Sequence, residues 1–214
     1  DIFYSQINGQ YHVYKLLLND SEFNCYHLLA YKPTETIPNK KKIANLEVKI
    51  YHFPIDKSGF ENSVFLVNQK VIADDLIGYH EYLRQTKQIE NYVPIANEYY
   101  QKAYRLTDEK KYSEAIDYYS KAIDLIPSFF EAIDNRAFCK MDSGLWADAV
   151  KDFELSLNVN PGTFLAEFSI GECYFKMGNY DYAKKQFEKA QQIDPNHPGP
   201  EIFLRKIEEV INNK

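Results

Sequence analysis

Five histidines and three cysteines are the residues of this 214-residue chain best suited to hold a metal or carry a proton. His12, His27, His52 and His80 fall in the first ninety residues with Cys25, whereas Cys139, Cys173 and His197 lie further on. Metal and redox centres draw their ligands from short, fixed spacings. None of the histidines makes an HxH or HxxxH pair, and none is read as having a Cys or acid at ligand spacing beside it. They are expected as half-buried side chains on alternating strands, with His197, in DPNHPGP, as a turn residue. The cysteines are too few and too scattered for a disulfide framework or a zinc site. The expectation is no metal and no cofactor. GxSxG, GxxxxGKS, HExxH and Cys–His signatures are likewise absent, so no catalytic residue is assigned and the chain reads as a non-enzyme.

Charge narrows the partners. Through Tyr92 there are 10 Lys and Arg against 11 Asp and Glu, and from Val93 onward 15 against 20. Neither part has the basic excess that phosphate recognition requires, so nucleic acid is not an expected partner. No stretch approaches the roughly 20 apolar residues needed to cross a bilayer, and no membrane partner is expected. The opening DIFYSQINGQ has neither a basic leader nor an apolar core, and without a Met it reads as a trimmed start. Sparse cysteines fit a reducing, cytoplasmic compartment.

The elements that position these groups are set by a 34-residue period running through seven columns. Pro127, Pro161 and Pro195 repeat at this interval, as do Ala115, Ala149 and Ala183. So do Tyr119, Phe153 and Phe187, and Tyr112, Trp146 and Tyr180. Small residues recur at Ala103, Ala137 and Gly171 and at Ala122, Ser156 and Ala190, while Gly144 and Gly178 are matched in the first copy by Lys110. Ala149, Phe153 and Ser156 share one helical face by their spacing. Small residues let two antiparallel helices approach and the aromatic fills the space between them. The glycines supply left-handed turns and the prolines stop the second helix. Each unit is helix, turn, helix, stop.

This pattern resembles the tetratricopeptide repeat (TPR) family over residues 94–197. The implied fold is α+β multidomain: a small antiparallel β sheet or barrel, then an all-α TPR superhelix, a right-handed α-α solenoid. The domains are expected at 1–90, a β-rich module ending in a helix, and 91–214. The latter holds three hairpins at about 94–127, 128–161 and 162–195 and a capping helix at 199–213. The resemblance also implies a concave groove lined by one stripe of the first helices. That stripe maps to Asn97, Tyr100, Tyr104 and Asp108, then Glu131, Asp134, Phe138 and Asp142, then Leu165, Phe168, Glu172 and Phe175. Its mixture of aromatics and acids suits a segment carrying Lys or Arg beside apolar anchors. Two arrangements stay open: a groove free for a partner, or one filled by the β-rich module or the end helix. In the subset that clamps acidic chaperone tails, the matching positions are Tyr100, Tyr104, Asn135, Leu165 and Ser169. Of these only Asn135 has the expected residue, and such clamping is disfavoured. Cys139 and Cys173 are expected on the packed side as small hydrophobes.

Before Tyr92 the texture is β-rich. YHVYKLLL, FNCYHLLAY, ANLEVKIYHF and VFLVN alternate partially between turn signals at Asn8-Gly9, Asn19-Asp20 and Ser58-Gly59. Four to five strands are expected, then a helix DLIGYHEYLRQTKQ capped by Asp74 or Asp75. Lysines 40–42 are expected in an exposed loop. The order of elements resembles an N-terminal module of some bacterial TPR proteins, which implies no activity.

Three functional readings follow. The first is a protein-binding adaptor or scaffold using the groove. The second is an inhibitor or immunity-type protein capping a target enzyme, with an acidic groove facing a basic active site. The third is an enzyme in the N-terminal module, which a pocket converging on His12, His27 or His52 would revive. Exposed aromatics and an open solenoid end also leave a homodimer open.

Overall fold

The structure is a computed structural model that describes residues 1–21, 23–86 and 89–212. It divides into two compact units, Asp1–Pro94 and Ile95–Lys214.

The first unit is built on a five-stranded antiparallel sheet. Its strands are β1 (Ile2–Ile7), β2 (Gln10–Asp20), β3 (Cys25–Tyr31), β4 (Val48–Asp56) and β5 (Val64–Val67), in the order β4-β3-β2-β1-β5. The sheet is therefore open, with β4 and β5 as edges, and is not a barrel. Strand β1 went unread because IFYSQI mixes Ser and Gln with its apolar residues and carries little period. Asn8 and Gly9, both at positive φ, close the β1–β2 hairpin, as such two-residue turns require. Lysines 40–42 are not in a loop: α1 (Lys40–Ile43) is a single helical turn, begun by Asn39, whose side chain accepts the Lys42 N–H at 3.1 Å. The Ser58-Gly59 turn is likewise a short helix, α2 (Lys57–Phe60).

The two faces of the sheet differ. Ile2, Val13, Lys15, His27 and Leu29 are essentially fully buried, on the face that meets the 3-10 turn Ala73–Leu76 and helix α3 (Ile77–Thr86). A lysine is tolerated there because Asp75 reaches its ammonium at 2.5 Å, consistent with buried charges being paired. The same carboxylate accepts the Ile72 N–H at 2.8 Å, so Asp75 is the capping acid. Lys87 and Gln88, at the end of the expected DLIGYHEYLRQTKQ helix, lie outside the described residues. On the opposite face Phe3, Tyr14 and Tyr26 set their rings edge-on to Phe60 of α2. The histidines depart from expectation: His27 and His80 are fully buried, and strand pairing brings Asp20 and Cys25 beside His27.

Helix α4 (Ile89–Asp108) begins in the first unit and runs into the second, which also contains α5 (Tyr112–Leu125), α6 (Phe130–Asp142), α7 (Trp146–Val159), α8 (Phe164–Lys176), α9 (Tyr180–Ile193) and α10 (Pro198–Asn212). Pro94, expected to mark the first hairpin, sits inside α4. Asn213, the last residue of the expected capping helix, lies outside the described residues. The repeat columns are the core: Ala103, Ala137, Ala115, Ala149, Ala183, Tyr119, Phe153, Phe187, Ala122, Ser156 and Ala190 are each at most 1% exposed. At Gly171 a Cβ would come within 2.7 Å of the Phe187 ring, so the third hairpin closes only because that side chain is missing. Tyr119 is the polar member of the aromatic column. Its hydroxyl shares a 3.3 Å hydrogen bond with Thr107 Oγ1, and burial pushes its pKa up to about 12.

The turn within each hairpin repeats one geometry. Lys111, Leu145 and Asn179 N–H groups donate to the carbonyls of Leu106, Lys140 and Tyr174 at 2.8–2.9 Å. The residue before each donor is left-handed: Lys110 at φ 57°, Gly144 at 75° and Gly178 at 76°. These are Schellman motifs. A left-handed non-glycine residue costs about 1–2 kcal/mol, and glycine recovers most of that against its own entropy cost of roughly 0.5–1 kcal/mol. Lys110→Gly is expected to stabilise the helical unit by about 0.5–1 kcal/mol, measured as a higher denaturant midpoint with unchanged slope.

A buried ionic knot ties α6 to α7. Arg136 donates twice to Asp152, at 2.8 and 2.7 Å, and once to Ser120 Oγ at 2.9 Å, while Lys140 reaches Asp152 at 2.7 Å. Removing the acid strands two poorly solvated cations. Asp152→Ala is expected to cost roughly 3–5 kcal/mol, seen as a fall in the thermal midpoint of the helical signal.

Candidate peptide-binding groove

The sequence stripe separates into two sets. Asn97, Tyr104 and Asp108 on α4, Glu131 and Asp142 on α6, and Leu165 at the start of α8 are exposed. Tyr104 and Leu165 show 48% and 49% of their surface, a large exposure for apolar side chains on well-packed helices.

The remaining residues are engaged internally. Tyr100 lies with its ring 5.0 Å from Phe129 and 5.8 Å from Tyr119, and its hydroxyl accepts the Asn135 side-chain amide at 3.0 Å. Phe138 packs edge-on against Phe153 at 5.1 Å. Phe168 and Phe175 meet Phe203 of α10 at 5.7 and 5.3 Å, and Phe168 also touches Phe164 and His197. These two phenylalanines therefore pack on the end helix and keep only part of their surface exposed. The physical reason is that α10 packs on α9, so the apolar side of the third hairpin is closed by α10. Phe203 was the residue the sequence did not disclose, because Ser169 and Asn135, in register with it, are not aromatic.

Two acids of the stripe sit in partly buried positions. Burial raises the Asp134 carboxyl above its ordinary value, helped by Glu131 and opposed by the Ser156 hydroxyl. Burial likewise raises Glu172, opposed by Lys176. At the five positions matching the chaperone-tail clamp, Tyr100, Tyr104 and Leu165 offer no cation, Ser169 is 1% exposed, and the Asn135 amide is spent on Tyr100. Cys139 and Cys173 are free thiols with no exposed surface; burial raises both, Cys173 to about 12. Among the described residues no helix is long and apolar enough to cross a membrane.

Comparison with known proteins agrees with this geometry. Two tetratricopeptide repeat models match, over residues 96–129 and 165–197. The chain is 29% identical over 130 residues to Hsp70-Hsp90 organizing protein 1 of Glycine max, covering 60% of this chain and 23% of that protein. It is 34% identical over 116 residues to Hsp70-Hsp90 organizing protein 2 of Arabidopsis thaliana, covering 53% of this chain and 20% of that one. The chain thus spans less than a quarter of the length of these relatives. Among solved structures, the first TPR of Spaghetti (RPAP3) bound to the HSP90 peptide SRMEEVD superposes with a TM-score of 0.52 at 28% identity, over 55% of this chain and 93% of that one. The Sgt2 TPR domain of Aspergillus fumigatus gives 0.50 at 27%, over 56% and 80%. With its packed columns, its repeated turns and these matches, the helical unit has the tetratricopeptide-repeat fold.

Proposed function

We propose that this protein is a non-enzymatic adaptor whose TPR helices hold a segment of another polypeptide, one with Lys or Arg beside apolar anchors. The observation that carries this reading is the replacement of clamp cations by half-exposed Tyr104 and Leu165, with Asp108, Glu131 and Asp142 exposed on the same stripe. Aromatic and aliphatic anchors supply the affinity of such surfaces and a surrounding set of charges supplies orientation. That a TPR domain 28% identical to this chain holds the HSP90 peptide SRMEEVD supports the general mode. The acidic SRMEEVD tail bound by that domain calls for cations that this stripe lacks.

A peptide array screened with the full chain tests the reading. Basic-apolar peptides are expected to bind, and binding should weaken with added salt. Tyr104→Ala and Leu165→Ala are each expected to weaken a selected peptide about tenfold, a loss of roughly 1–2 kcal/mol. Preference for acidic tails, or binding indifferent to both substitutions, would overturn the reading.

The acids give a pH signature. Asp134 and Glu172 have folded pKa values raised above their unfolded ones, so each favours the folded state below its raised value and disfavours it as pH rises through it. Protonation in the same window removes negative charge from the stripe. Affinity for a Lys-bearing peptide, followed by fluorescence anisotropy, is expected to begin falling above the ordinary carboxylate range as pH is lowered. Asp134→Asn should flatten that onset.

A further inference from the structure

The N-terminal unit carries a ligand set that the helical array does not use. Asp20 and Cys25 are paired across the β2–β3 hairpin, so they share one face of the sheet, and His27 follows two residues later on that same face. Cys25 Sγ is 3.7 Å from His27 Nε2, Asp20 Oδ2 is 3.5 Å from the same nitrogen, and all three ligand atoms lie within 4.8 Å of one another. On the far side of the ring, His27 Nδ1 lies 2.8 Å from His52 Nε2 on β4, and the two imidazoles stack. Tyr79 and Tyr82 of α3 pack their rings against both histidines.

A nucleophile–base–acid relay does not fit this arrangement. Such a relay needs the nucleophile and the acid on opposite ring nitrogens, whereas Cys25 and Asp20 both face Nε2. A metal does fit. Zinc bonds of about 2.3 Å to sulfur and about 2.0–2.2 Å to nitrogen and oxygen, at tetrahedral angles, place neighbouring ligand atoms roughly 3.4–3.6 Å apart. The observed S···N and O···N spacings of 3.7 and 3.5 Å lie close to those values, and the S···O spacing is within 4.8 Å. One thiolate, one imidazole and one carboxylate are a borderline-soft set suited to zinc-class divalent ions and not to calcium or magnesium. His52 stands where an outer imidazole fixes the tautomer and orientation of a ligating histidine. His27 is 3% exposed and Asp20 22%, so the carboxylate is the solvent-reached member through which an ion would enter.

We propose that Asp20, Cys25 and His27 bind one zinc-class divalent transition-metal ion, with His52 as the positioning residue behind His27. The test is titration of the reduced full-length chain with Co(II), followed by displacement with Zn(II). One equivalent of Co(II) is expected to give a thiolate-to-cobalt charge-transfer band with visible bands of tetrahedral intensity, and Zn(II) should abolish both. The band should vanish in Cys25→Ser and persist in a Cys139→Ser/Cys173→Ser double variant. His52→Gln, whose side chain is only half-buried, is expected to weaken binding about 10–100-fold. Absence of the band from the folded natural chain, or its survival in Cys25→Ser, would overturn the proposal. The first of these outcomes does not depend on whether any variant folds.

Discussion

The helical array depends on one steric relation: a single buried aromatic per hairpin, seated against small residues of both helices. Tyr119, Phe153 and Phe187 have no exposed surface, and neither do the alanines of the matching columns. Burying a ring of that size is worth a few kcal/mol, but its main effect is geometric. It sets how near the two helices of a hairpin come, and each hairpin then presents the next with a surface of the same shape. The contact between Gly171 and Phe187 shows how little slack remains, since one added carbon would overlap the ring. The Schellman turns and the prolines only determine where each helix stops. The aromatic column determines where the first helices lie, and therefore where any stripe on them can be read by a partner.

That constraint also divides the aromatics by duty. Tyr100 and Phe138 lie beside the column and are drawn into it, Tyr100 through Phe129 and Asn135, Phe138 through Phe153. At the open end, Phe168 and Phe175 are taken up by Phe203. Tyr104 and Leu165 are left outward, together with the exposed acids Asp108, Glu131 and Asp142. Solenoids of this kind separate the residues that stack from those that bind, and substitution on the binding stripe changes the ligand without altering the stack. The lack of cations at Tyr100, Tyr104, Leu165 and Ser169, beside an intact set of columns, fits that separation.

What was legible in the sequence follows from the same separation. Columns repeated every 34 residues report packing, because identical packing problems recur, and the buried positions of α4–α9 were readable for that reason. Lys110 was readable as a glycine surrogate because the period placed it opposite Gly144 and Gly178, and its φ of 57° agrees. The use of Phe168 and Phe175 by the end helix was not readable, since the counterparts of Phe203 in earlier copies, Ser169 and Asn135, are polar. In the first unit there is no period to exploit. The grouping of Asp20, Cys25 and His27 arises from pairing across a hairpin, and spacing along the chain reveals only the Cys25–His27 alternation. Strand β1 and the turn of helix α1 were missed because short segments with mixed residues carry weak local signals.

Hydrogen exchange of the full chain, with and without a basic-apolar peptide selected from the array, tests the central claim most directly. The account predicts new protection on the first helices, around Asn97–Asp108, Glu131–Asp142 and Leu165, while the second helices α5, α7 and α9 change little. Protection confined to the second helices, or to the strands of the first unit, would contradict it.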